Sequence, residues 1–206
     1  MRAWHFIGKT LGDGSPIPAD GVWLEHVGPV EMCVAGLRFS LDPFDALSYA
    51  SGDTLCLVEV EGDVVLGKDK GVCRRRKIVA RMDATAMLRY FARMQAISVV
   101  DRWDAPQAVL EWLMTGAEQY REEAAAAAWA ATPAAEAAWA AWSAGSARSA
   151  GSAGSARSAA WASDAAARSA ADAVSAQSAR VSARAEFNAL VEECFENVLT
   201  NSKGVK

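Results

Sequence analysis

The chain has 206 residues, a formal net charge of −4 and a hydrophobic content of 52%. An acidic balance argues against a protein that coats nucleic acid or an anionic membrane through overall charge. No run of about 18 apolar residues spans a membrane, and the apolar start at residues 3–7 is too short for a signal peptide.

Composition is uneven along the chain. Residues 1–116 hold nearly all the Val, Ile, Leu, Met and Phe apart from a short cluster over residues 187–199, enough for one modest core. Residues 124–185 contain 31 alanines in 62 positions, and residues 143–160 are six back-to-back Ser-Ala-x triplets. The expected fold class is therefore α+β: a small, mainly antiparallel sheet with helices over residues 1–116, followed by a long alanine-rich helical arm over residues 117–206.

In chain order, residues 4–7 read as a first strand, and the Gly/Pro/Asp-rich stretch 8–21 as a loop. Residues 22–24 suggest a second extended piece, and after Gly28-Pro29 come residues 30–34 and then a strand over residues 36–40. Asp42-Pro43 marks a helix start, with Asp as cap and Pro in the first turn, running over residues 44–50. Residues 55–60 form the strongest strand, with Glu61-Gly62-Asp63 expected to turn it into residues 64–66. Residues 72–82 close the series of strands. Asp83 is expected to cap a helix carrying Met87, Phe91, Met94, Ile97 and Val100, and Asp104 a second carrying Val109, Trp112 and Leu113, stopped at Gly116.

Residues 117–131 have high helix propensity, and Thr132-Pro133 interrupts and restarts the pattern. A period of three drifts by about 60° per repeat on a 3.6-residue helix, so the triplets form no fixed stripe, and their glycines weaken the helix. The arm is expected to be helical over residues 117–141 and again over 165–199. Phe187, Leu190, Val191, Cys194, Phe195 and Val198 make a regular amphipathic stripe that must dock on the first domain or on a second chain.

Cys33, Cys56, Cys73 and Cys194 are widely spaced and lack a C-x-x-C pair, which points to reduced structural thiols in a cytoplasmic protein. His5 and His26 are the two histidines, with no neighbouring ligands at metal-site spacing, and no metal is expected. Nucleophile triads, phosphate loops and dinucleotide fingerprints are absent from the sequence. Arg74, Arg75, Arg76 and Lys77 form the one basic cluster. On a strand its members alternate between faces, as in a solvated or edge strand, with phosphate or nucleic-acid contact as the functional alternative. Trp139 and Trp142, three apart on an alanine background, are packing anchors or a partner-binding face.

The order strand, short helix, strand over residues 36–60 resembles a portion of the ADP-ribosyltransferase fold. That resemblance implies NAD as cofactor, with Arg38, Ser40, Tyr49 and Glu59 as site residues. Taken together, residues 2–6, 16–21, 23–26, 36–37, 43–47, 57–60 and 103–106 resemble a family of uncharacterised phage and prophage proteins, many with alanine-rich tails. The family pattern has His where this chain has Arg38. The favoured expectation is a phage-type accessory protein of the host cytoplasm. It would act by binding a host protein or by self-association through the arm, with no enzymatic activity, no cofactor and no membrane partner. The alternative is a nucleotide-binding or ADP-ribosyl-transferring enzyme.

Overall fold

The computed structural model describes residues 1–102, 104–130, 161–162, 164–166, 168 and 173–203. The Ser-Ala-x triplets, Trp139 and Trp142 lie outside the described residues. The class is α+β, an antiparallel sheet with helices. The chain divides into two compact units, Met1–Ala84 with Asn188–Lys206, and Thr85–Phe187. The division at residue 116 expected from composition follows side-chain size, whereas these units follow packing.

In the first unit, strands β1 (Arg2–Ile7), β2 (Trp23–Glu25), β3 (Leu37–Phe39), β4 (Thr54–Leu66) and β5 (Gly71–Asp83) form one antiparallel sheet in the order β1-β4-β5-β2, with β3 also paired to β5. Since β4 runs along all of β5, the short strands β2 and β3 lie in tandem on the opposite edge of β5. Trp4 and Ser40 exchange backbone hydrogen bonds of 2.8 and 2.9 Å, which joins β1 to the end of β3. The sheet therefore curls back on itself.

Two register shifts make that curl possible, at Leu57/Val58 and at Glu61/Val64. Residues 61–63, expected as a hairpin turn, are a bulge within one continuous β4. Gly62 has φ of +79°, and the residues on both sides pair with the same strand β5. A bulge of this kind adds a residue and sharpens the twist without reversing the chain. The concave face carries the core residues Ala3, Ile7, Phe39, Cys56, Val58, Val60, Cys73 and Ile78.

Helix α1 (Pro43–Leu47) has the cap expected of it. The Asp42 carboxylate accepts from the Phe44 amide at 2.8 Å and the Asp45 amide at 3.4 Å, with Pro43 in the first turn. It ends before residue 50, with Ser48 as its C-cap. Gly71 lies beneath the Phe39 ring. A Cβ there would come within 2.8 and 2.9 Å of Phe39 Cε2 and Cε1. Gly71→Ala is expected to destabilise the chain by about 1–3 kcal/mol through overpacking. An unchanged denaturation midpoint would show that the ring has room to move.

The second unit contains helices α2 (Thr85–Ile97), α3 (Gln107–Thr115) and α4 (Arg121–Ala130). Asp83 belongs to the end of β5. Asp104 lies three residues before α3, whose N-cap is Pro106 with no side-chain cap hydrogen bond, so capping does not account for Asp104. Gly116, at φ +69°, closes α3 by donating its amide to the Trp112 carbonyl at 2.8 Å. Arg93 Nη1 donates to the Leu113 carbonyl at 3.0 Å, adding a positive charge where the helix dipole is negative.

The arm's helix α5 (Ala173–Lys203) contributes residues to both units. Phe187 packs edge-on against Phe91, with ring centroids 5.0 Å apart, and Phe195 against Trp4, at 4.9 Å. Phe187 and Val191 are 0% exposed and Phe195 3%, whereas Leu190, Cys194 and Val198 are half-buried. Asn188 fixes the same segment by accepting from the Phe44 amide at 3.1 Å and donating to Asp42 Oδ2 at 3.0 Å. Of the two partners expected for the stripe, this chain itself supplies the cover.

Candidate functional site

The alternation of β5 splits the basic cluster into two environments. On one face the register brings Lys77 opposite Glu59 and Trp23, and Arg75 opposite Glu61 and Glu25. Lys77 pairs with Glu59 at 2.7 Å, and Arg75 with Glu61 and, at 3.7 Å, with Glu25. The Lys77 ammonium and the Arg75 guanidinium also lie 4.5 and 4.8 Å from the Trp23 ring centroid. The hydrogen bond and charge of Lys77 hold the Glu59 carboxyl below its ordinary range. These cations have carboxylates beside them, in a solvated ladder worth little net stability. Arg74 is likewise paired, with Asp63 at 2.5 Å, and donates to the Gly28 carbonyl at 3.0 Å.

Arg76 is different. Its register partners are Val60 on β4 and Leu24 on β2, and its side chain is buried, with the residue only 7% exposed. Nη1 donates to the Arg38 backbone carbonyl. Among the described residues, no carboxylate lies within ion-pair distance of Arg76 or Arg38. The Cys73 and Cys56 thiols act on Arg76, but burial pushes them up to about 11 and about 12, so both are neutral at physiological pH. Burial lowers the Arg76 pKa as well.

Arg76 forms part of the wall of a cleft of about 800 Å³ in the mouth of the curled sheet. His5 and Ile7 of β1, the loop after β1, residues 24–27 from β2 onward, and Gly36, Leu37 and Arg38 at β3 complete it, with Tyr49 and Ser51 from the segment after α1. His5 is held well below its ordinary value, first by burial and then by the positive charges of Arg76 and Arg38. A histidine depressed in the folded state adds stability that is fully present above its unfolded pKa near 6.5 and is lost as pH falls below that value and through the lowered folded pKa. Two carboxylates reach the cleft wall. Asp13 accepts from the Ser15 amide and hydroxyl at 2.9 and 2.6 Å, and Glu25 lies beside Arg75. The wall is thus electropositive around His5, Arg38 and Arg76.

Of the four residues singled out by the strand-helix-strand element, Arg38 and Tyr49 line this cleft, and Ser40 and Glu59 do not. Ser40 is buried, with its backbone bonded to Trp4. Glu59 is on the opposite face of the sheet with Lys77. The Tyr49 hydroxyl donates to Asp69 Oδ2 at 2.5 Å while Lys70 sits 4.4 Å from the centre of its ring. Of the four basic residues, one, Arg76, reaches the cleft. His26, on the rim, has Nε2 at 3.1 Å from the Pro29 carbonyl oxygen. No group of three or more metal-ligating side chains occurs among the described residues.

Sequence reasoning missed His5 and the singular position of Arg76. A signal for both existed in the alternation. Ala3, His5 and Ile7 share one face of β1, and Arg76 is in phase with Ile78 on β5. No curated protein and no solved structure matches this chain. Residues 1–90, a span that holds every strand of the sheet and the whole cleft lining, match the model of a family described as Domain of unknown function (DUF7666).

Proposed function

We propose that the sheet unit is a binding module whose cleft takes a small oxyanion, held by Arg76 and Arg38 with His5 beside them. The observation that carries this reading is the buried guanidinium of Arg76, which has neutral thiols and apolar side chains around it where a counter-charge would be expected. Taking an ion out of water costs several kcal/mol unless a partner compensates it. An arginine serving the fold alone would be paired, as Arg74 and Arg75 are. Arg76 instead has its missing counter-charge supplied from the cleft, and perturbed ionisable groups in a cleft are the usual mark of a working site. The separation of Glu59 and Ser40 from the cleft makes binding better supported than NAD-dependent ADP-ribosyl transfer.

The resemblance of residues 2–120 to phage and prophage proteins supports a host-cytoplasm setting for this module, with a host component as its partner. Self-association through the arm loses its strongest motive, because the large members of the C-terminal stripe are covered within the chain.

Calorimetry and thermal melting of the full chain with sulfate, which stays dianionic across the useful pH range, test the proposal. Sulfate is expected to bind saturably and raise the thermal midpoint. Arg38→Gln should weaken binding about tenfold or more, the effect of losing a charge-assisted contact, whereas Arg74→Gln should not. The stabilisation should be larger at pH 6 than at pH 8, since the anion offsets the charges that keep His5 unprotonated. Absence of saturable binding, or equal losses in the Arg38 and Arg74 variants, would overturn the reading.

A further inference from the structure

We infer that the anion is the head of a phosphate monoester with a ring-bearing organic body: the head among Arg76, Arg38 and His5, the body against Ile7, Leu24 and Leu37. This rests on the oxyanion reading above and goes beyond it in three respects. The first is size. A cleft of about 800 Å³ lies within the roughly 300–1,000 Å³ of small-molecule sites, whereas a bare ion fills the space of only a few waters at about 30 Å³ each. The rest of the wall then needs an occupant.

The second is geometry. His5, Arg38 and Arg76 come from three different strands, β1, β3 and β5, and the curl of the sheet turns them onto one cleft. A planar carboxylate is satisfied by a single guanidinium fork, whereas a tetrahedral phosphate presents oxygens in several directions and suits donors that arrive from several strands. The third is charge. Two guanidiniums share the cleft without a carboxylate at ion-pair distance among the described residues, and a dianion matches them. The remaining wall is mixed, with Ile7, Leu11, Leu24, Val27 and Leu37 beside polar side chains such as Thr10, Asp13 and Ser51, and a ring is the body that gains from burial against its aliphatic part.

Calorimetry on the full chain should compare inorganic phosphate, phenyl phosphate, benzoate, adenosine monophosphate and ribose 5-phosphate. Phenyl phosphate is expected to bind about tenfold or more tightly than either inorganic phosphate or benzoate. Leu24→Ala should weaken phenyl phosphate more than inorganic phosphate, so that the ratio of the two affinities falls by most of its roughly tenfold advantage. Adenosine monophosphate binding more tightly than ribose 5-phosphate supports a ring-bearing ester, and the reverse order overturns it. Benzoate equal to phenyl phosphate overturns the choice of head group. Equal affinity for inorganic and phenyl phosphate sinks the organic ester and leaves the oxyanion reading standing, whereas a chain that binds neither inorganic phosphate nor sulfate sinks both.

Discussion

Replacing Phe187 with alanine is expected to destabilise the chain by about 3–5 kcal/mol, the range for emptying a fully buried phenylalanine site. The side chain is 0% exposed and meets Phe91 edge-on at 5.0 Å, an arrangement that adds to its area burial. Helix α5 around it is rich in Ala and Ser, which contribute little apolar area, so the long helix is held by a few large side chains rather than by its whole surface. Leu190→Ala, at a half-buried position, should cost clearly less. Urea denaturation followed by circular dichroism, with light scattering for the oligomeric state, checks the claim. A midpoint for Phe187→Ala within error of the unsubstituted chain would mean that the stripe is not anchored as the structure has it. A change of oligomeric state at constant midpoint would point to a second chain as its partner.

The strands were legible because they are short runs rich in β-branched, aromatic and other apolar residues, and turn residues separate them. Residues 4–7, 22–24, 36–40, 55–60 and 72–82 were read as such runs, and the observed strands match them to within a few residues. The cap at Asp42 was legible for a local reason too, since an Asp-Pro pair acts on the next two amides. What could not be read was whether Glu61-Gly62-Asp63 reverses the chain or bulges within it. A glycine at positive φ serves both, and the choice is made by β5, a strand in register with both halves of β4. Capping failed at Asp104 for a comparable reason: Pro106 fixes where α3 begins, two residues beyond the acid.

The site was harder to read, because it depends on closure of the sheet. A run of four basic residues looks uniform in one dimension. Only the pairing of β5 with β2 and β4 puts Glu59, Glu61 and Glu25 beside Arg75 and Lys77 and leaves Arg76 facing Val60, Leu24 and the thiols. Likewise, Arg38 and His5 are 33 positions apart and share a cleft because Trp4 and Ser40 bond across the seam. Alternation told which residues share a face of a strand, and the seam decided which faces enclose the cleft.

Arg76→Met is expected to leave the chain as stable as before or to stabilise it by about 1–4 kcal/mol, and at the same time to abolish its response to sulfate. Methionine fills a similar slender volume among Val60, Leu24 and the neutral thiols without needing to be solvated. The substitution gives up the donation to the Arg38 carbonyl, about 1 kcal/mol, and removes the cost of a buried guanidinium, which is larger. His5 then loses the stronger of the two charge effects that depress it, so the loss of stability as pH falls below about 6.5 should shrink as well. An arginine kept for the fold would behave in the opposite way, because removing a paired buried charge strands its partner and costs about 3–5 kcal/mol. Thermal melts of Arg76→Met with and without sulfate separate the two. A strongly lowered midpoint together with an intact sulfate shift would make Arg76 a structural residue and remove the anion site. A midpoint kept or raised with the shift gone would mean that this chain retains a costly buried charge for the sake of what enters the cleft.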